Sequence, residues 1–272
     1  MQDDYQEQTG KGHALSACSV LVTRPQEQAE SLCRMIEAAG GHAIRFPVIA
    51  IMPAKDIAAI QQVIQRLSDF DLAIFISANA VRFTMQQFPQ PWPPDLKFAA
   101  IGKATASALA EQGISVDISP EAVFNSESLL SMPSMQDLVG KKIILFKGEG
   151  GRQLLADTLV QRGAIVCEAN VYCRAMPDVD SDPLIHAWSK GKVNVVTVTS
   201  QEGLYNLDDM LGEKGRVLLQ QTPLVVISER MLEVTRELGI QSPVIVAKHA
   251  SDEAIVAALI ELTNTHHVKD QR

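Results

Sequence analysis

Six places in the chain set small polar residues or glycine at the point where an apolar run gives way to a helical pattern. They are Thr23-Arg24-Pro25, Ser77-Ala78-Asn79, Gly102-Lys103, Lys147-Gly148-Glu149-Gly150-Gly151-Arg152, Ser200-Gln201-Glu202-Gly203 and Ser228-Glu229. Residues of this kind leave backbone N–H groups open at the start of a helix, where the aligned peptide dipoles favour an anion. Serine, threonine and asparagine are also the ordinary N-caps, so capping alone explains any one of the six. Six in one chain, arranged as a repeat, point further, to a site for anionic groups. In the KGEGGR stretch, Lys147 and Arg152 could complete an anion cradle.

Other chemistries find less support. The KGEGGR stretch is no P-loop, because the residue six after Gly148 is Leu154, and Gln153 stands where GxGxxG needs its last glycine. GxSxG is absent. The six histidines contain no HxxxH or HExxH pair, and no two of the four cysteines (Cys18, Cys33, Cys167, Cys173) have CxxC spacing. Metal-ligand spacing is therefore missing, and the cysteines read as reduced thiols of a cytoplasmic protein. Glu149, Glu202 and Glu229 read as solvated carboxylates at helix starts. Tyr172 lies in an extended segment, Val166 to Pro177, that suits a linker. It could present its hydroxyl to a cleft, or be a half-buried linker aromatic.

These residues need elements to hold them. Apolar runs at 19–23, 72–77, 97–102, 142–148, 195–200, 223–228 and 243–248 are mostly Val- and Ile-rich on both faces. That pattern predicts parallel strands covered by helices on both sides. Helical stretches with apolar residues at three and four spacing lie between them, and several stop at glycine: Gly40-Gly41, Gly113 and Gly163. The alternation predicts doubly wound α/β domains. It also repeats. Residues 21–46 align with 144–169, and Ser77 with Ser200, at an offset of 123. Residues 100–114 align with 226–240 at an offset of 126. One unit of roughly 125 residues occurs twice. Two similar domains imply a cleft between them, where small molecules usually bind.

The composition agrees. The chain has 272 residues, enough for two ordinary domains, and 24 basic against 32 acidic side chains give a formal charge of −8. Such a chain is a poor partner for nucleic acid or an anionic membrane. Its longest apolar runs are strand-length, too short to span a bilayer. Residues 1–16 and His266 to Arg272 read as polar tails, without the features of a signal peptide.

From Val20 to Leu262 the order and spacing of LVTRP, FISANAV, AIGKATASAL, LFKGEGGRQLLADTLVQRGAIV with VYCR, VTVTSQEGL and VVISERMLEVTRELGI resemble the uroporphyrinogen-III synthase family. The resemblance implies two similar doubly wound domains interleaved in the chain, 17–47 with 177–265 and 48–174. Linkers near 46–53 and 170–177 would pair as a two-stranded β hinge, whereas the repeat alone would place consecutive halves split near Pro133. It implies closure of hydroxymethylbilane to uroporphyrinogen III, with loss of water and inversion of the last pyrrole ring through a spiro intermediate. No cofactor or metal is implied, and the expected protein is a monomeric lyase, with substrate handed over from hydroxymethylbilane synthase. Tyr172 matches the family tyrosine that gives a proton to the departing hydroxyl. Thr23, Arg24, Ser77, Asn79, Gly102, Lys103, Lys147, Gly148, Gly151, Arg152, Ser200 and Ser228 would contact the substrate, and Arg24, Lys103, Lys147 and Arg152 would form a positive patch for its eight carboxylates. Ser228 to Met231 depart from the family's more usual Gly and Thr, which Gly102 and Thr105 keep. The rival readings are a two-domain clamp that binds an anion without chemistry and a nucleotide-sugar transferase.

Overall fold

The computed structural model describes residues 14–88, 91–121, 123–150 and 153–269. Its strands are β1 (Ser19–Val22), β2 (His42–Arg45), β3 (Ala50–Pro53), β4 (Leu72–Phe75), β5 (Lys97–Ala100), β6 (Lys142–Gly148), β7 (Ile165–Ala175), β8 (Val195–Val198), β9 (Leu224–Val226) and β10 (Val244–Val246). Its helices are α1 (Gln26–Ala38), α2 (Ile57–Ile64), α3 (Ala78–Gln87), α4 (Lys103–Glu111), α5 (Ser126–Ser131), α6 (Leu154–Gln161), α7 (Asp182–Ser189), α8 (Gln201–Gln220), α9 (Met231–Glu237) and α10 (Asp252–Lys269).

The apolar runs became strands because burial on both faces suits them. Every residue of β4 and of β8 is buried. In β4 the alternation divides the side chains between two cores, Leu72 and Ile74 on one face, Ala73 and Phe75 on the other. Helix α1 shows the complementary period. Ala29, Leu32, Cys33 and Ile36 are its buried stripe, and the chain then turns through Gly40 at φ +87°.

The described chain divides into two compact units. The first takes the chain up to Ala50 and again from Met176, and the second is Ile51–Ala175. The first unit holds a sheet in the order β10-β9-β8-β1-β2, with every pair parallel. The second holds β3-β7-β6-β4-β5, with β7, β6, β4 and β5 mutually parallel. At the offsets of the sequence repeat, β1 corresponds to β6, β2 to β7, β4 to β8 and β5 to β9. Substituting these pairs turns β2-β1-β8-β9 into β7-β6-β4-β5, so the two strand orders are the same. The match extends to the edge. Ile118 bridges Ala99 beside β5, and 126 residues later Val244 opens β10 beside β9. Each repeat has thus given its first two strands to one sheet and its later strands to the other.

Three details differ from the sequence expectations. The segments read as linkers do pair, but as part of the second sheet: β3 is its edge strand and lies against the eleven-residue β7. The core starts before residue 17, since Leu15 is fully buried and its N–H donates to the Ala39 carbonyl at 2.9 Å. At the other end α10 stays helical to Lys269, where a tail was expected. The rest of the expected N-terminal tail, up to His13, lies outside the described residues.

The second sheet is tied at its amino edge by Asp71. Its carboxylate accepts the Lys142 N–H at 2.8 Å and the Lys141 ammonium at 3.2 Å, and its carbonyl accepts the Lys97 N–H at 3.1 Å. One residue therefore joins the starts of β4, β5 and β6. The Lys142 N–H, then Lys141, hold the Asp71 carboxyl below the usual carboxylate range. A depressed value stabilises the fold above the unfolded-state pKa, and that contribution is lost as pH falls through the folded-state value. Asp71 is nearly half exposed, so the effect is modest. Asp71→Ala should cost about 1 kcal/mol near neutrality. Thermal melts from pH 7 downward should show the gap to the parent closing below about pH 4. A gap that is constant across this range would exclude the charged bond as its source.

Candidate active site

In both units the strands' carboxyl ends meet the amino ends of helices, where ligands of open α/β sheets bind. In the second unit β4 ends at Phe75, and two residues on Ser77 caps α3. Ser77 has extended backbone (φ −163°, ψ 158°), and its Oγ accepts the Ala80 N–H at 3.0 Å. The same Oγ lies 3.2 Å from the hydroxyl of Tyr172 on β7. That phenol is 6% exposed. Its ring stacks on Phe83 of α3, with centroids 5.9 Å apart and planes 25° from parallel. The Arg82 guanidinium sits 4.8 Å over the Phe83 ring.

Tyr172 owes its position to an irregular register. β6 and β7 pair one to one until Lys147 meets Asn170, and then Gly148 meets Tyr172, leaving Val171 unmatched. This bulge brings the ring directly over Gly148. A Cβ at Gly148 would stand 2.6 Å from Tyr172 Cε2 and Cζ, well inside van der Waals contact. Glycine is the residue that fits there. The Glu149 N–H then donates to the Tyr172 carbonyl at 2.8 Å and holds the bulge closed.

The other expected site residues divide. Asn79 is the second residue of α3 and partly exposed. Gly102 occupies the cap of α4, and its Cα faces Phe124, whose Cβ would be 3.1 Å from an added Cβ. Lys103 opens α4 and is exposed. Gly151 and Arg152 lie outside the described residues. In the first unit Ser200 caps α8 by accepting the Gly203 N–H at 2.9 Å. Thr23 is buried, and its hydroxyl donates to the Thr197 carbonyl at 2.8 Å.

Two expected cations are committed elsewhere. The side chain of Lys147 is 3% exposed, and its ammonium bonds the Glu168 carboxylate at 2.7 Å. Arg24 is ion-paired with Asp252 in the first turn of α10. The four-residue positive patch expected from sequence is therefore not what these two side chains form. Ser228 also differs from expectation. Helix α9 starts at Met231 with Arg230 at its cap, and Ser228 contributes its carbonyl, accepting the Met231 N–H at 3.0 Å.

Sequence reasoning did not pick out Phe83, Phe124, Glu168 or Asp252. A signal existed for Glu168: opposite charges in neighbouring parallel strands, on faces otherwise apolar, call for each other. The phenol itself has no counterpart in the first unit, because the residue 123 positions before Tyr172 is Ile49. Among the described residues no group of three or more His, Cys, Asp or Glu could hold a metal ion, and no helix is long and apolar enough to cross a membrane.

Comparisons with known proteins bear on this arrangement. The family model described as uroporphyrinogen-III synthase HemD matches residues 30–257. The uroporphyrinogen-III synthase of Escherichia coli K12 is 34% identical over 245 residues, covering 89% of this chain and 99% of that one. The Salmonella typhimurium LT2 enzyme is 32% identical over 246 residues, with the same two shares. In three dimensions the uroporphyrinogen-III synthetase of Helicobacter pylori 26695 superposes with a TM-score of 0.57 over 90% of this chain and 99% of its own. At 15% identity that likeness speaks for the fold alone. The family match across most of the chain, with relatives above 30% identity over nearly their full length, leads to one conclusion: the chain belongs to the uroporphyrinogen-III synthase family.

Proposed function

We propose that Tyr172 donates a proton to the departing hydroxyl of hydroxymethylbilane, and that the helix starts around it hold the substrate. The family's members are cyclising hydro-lyases of tetrapyrrole biosynthesis, and this chain is an enzyme of that kind. The reaction loses water, inverts the last pyrrole ring and closes the macrocycle. Breaking the C–O bond leaves its electron pair on oxygen. The proton that makes this oxygen a good leaving group must come from a neutral donor at pH 7, and a phenol is one. The observation that carries the assignment is the placement of Tyr172 between Phe83, Gly148 and the capped Ser77.

The rest of the task is orientation. The spontaneous closure gives the uninverted isomer I, so the enzyme must hold one geometry against an easier one. Fixed positioning and water exclusion supply that selectivity. The substrate's carboxylates meet N–H groups at the starts of α3 and α4, with Lys103 adding charge at α4. Gly151 and Arg152 are assigned to the same task on their sequence position. We also place the protein in the cytoplasm, in keeping with four free cysteines, and as a monomer that receives its substrate from hydroxymethylbilane synthase.

An isomer assay tests the reading. Hydroxymethylbilane made in situ, treated with the protein and oxidised, should yield uroporphyrin III as the main product on chromatography. Isomer I alone, at the spontaneous rate and with folded protein, would leave a binding clamp as the better description. Tyr172→Phe should lower kcat about 100-fold. The residual product should still be isomer III, because the ring stays in place. A parental kcat would remove Tyr172 from the mechanism. Gly148→Ala should destabilise by about 1–3 kcal/mol through overpacking and lower kcat more than it raises KM. Its stability cost should shrink when Tyr172→Ala removes the ring it strikes; an undiminished cost would place the clash elsewhere.

A further inference from the structure

Ser77 Oγ makes two polar contacts at once, to the Ala80 N–H at 3.0 Å and to the Tyr172 hydroxyl at 3.2 Å. Ser200 does the first of these in the other unit, with nearly the same backbone angles (φ −158°, ψ 154°). Capping thus accounts for a serine in both places. The second contact belongs to Ser77, since the repeat offers Ile49 where Tyr172 would stand.

A hydroxyl has one proton and two lone pairs. The cap bond occupies one lone pair of Ser77. Between Ser77 and Tyr172 one oxygen must donate and the other accept. Donation by Tyr172 would tie its single proton to Ser77 and withhold it from a substrate. Donation by Ser77 leaves the Tyr172 proton free to point elsewhere. The Ala80 N–H favours this second arrangement, because accepting a bond polarises the Ser77 hydroxyl and makes it a better donor. The amino end of α3 favours it again, because negative charge is stabilised there.

We infer that Ser77 is a positioning residue of the reaction: its hydroxyl donates to Tyr172 Oη, turns the phenol proton toward the substrate, and supports the phenolate that remains. The inference rests on Tyr172 being the proton donor. In the step itself the hydroxymethyl oxygen takes the C–O electron pair and the Tyr172 proton, and leaves as water. The phenolate regains a proton when the pyrrole carbon at the closing bond loses its hydrogen and the ring recovers aromaticity. Ser77 keeps its own proton throughout.

Three substitutions separate the donor from the cap. Ser77→Ala removes both. Ser77→Asp keeps a strong cap but offers only acceptor oxygens, so it would hold the Tyr172 proton. Ser77→Thr keeps both functions. We expect kcat to fall about 10- to 100-fold in the Ala and Asp variants, the loss of one hydrogen bond to a charged oxygen. The Thr variant should stay within about threefold of the parent. The Asp variant should melt near the parent's temperature and raise KM by repelling the carboxylates, so kcat is read at saturation. In a Tyr172→Phe background, Ser77→Ala should lower kcat no further, because Ser77 acts through the phenol. Parental kcat in Ser77→Asp, or an added loss in the Phe background, would overturn the inference. Parental kcat in Tyr172→Phe alone would instead overturn the reading of Tyr172.

Discussion

One residue too many in β7 organises the site. Through six pairs β6 and β7 run in register, and then Val171 is passed over so that Tyr172 meets Gly148. Without the bulge the alternation of the strand would send Tyr172 to the opposite face. With it, the ring comes to lie flat against a residue that has no side chain, and the hydroxyl reaches the cap of the neighbouring helix. The bulge is held by the Glu149 N–H on the Tyr172 carbonyl, and the ring it places stacks on Phe83. A phenol packed in this way has little freedom left, so its orientation is set by the fold.

The bulge also breaks the likeness between the two units. Both have the same strand order and a serine cap after the corresponding strand. What differs is the strand beside β1 or β6. In the first unit that strand, β2, is four residues long, and the chain goes on through Val48 and Ile49. In the second it is the eleven-residue β7, long enough to carry an irregularity and continue past it. Two similar frameworks can offer the same anion-binding helix starts, yet chemistry requires one specific proton donor. On the proposed reading the duplicated fold supplies the first, and a local departure from the repeat, Tyr172, supplies the second.

Much of the framework was legible because it follows from local rules. Runs such as 72–77 and 195–200 can hardly be anything but strands buried on two faces, and the glycine stops after α1 and α6 mark their own positions. The repeat was legible too, but the sharing of each repeat between two sheets is a choice of long-range pairing that no window of sequence contains. Ser77 and Ser200 were each readable as caps, since capping depends on neighbouring residues. The contact of Ser77 with Tyr172 spans 95 residues, and the role of Gly148 depends on a register shift. Ser228 misled for a related reason: a cap residue is recognised by the helix that follows, and α9 begins three residues later, at Met231.

Charge explains why the expected positive patch took another form. Lys147 stands on β6 with its side chain buried, where an ammonium without a partner would be costly, and Glu168 on the adjoining strand resolves this. Arg24 is likewise matched by Asp252. Cations used to satisfy the fold are poor choices for a substrate that must also leave. Helix starts differ in this respect. Their N–H groups carry no net charge, need no counter-ion when empty, and still favour a carboxylate when one is present. On the proposed reading, a chain of net charge −8 binds a polyanion through oriented amides, each contributing a little, so that product release does not require breaking strong ion pairs.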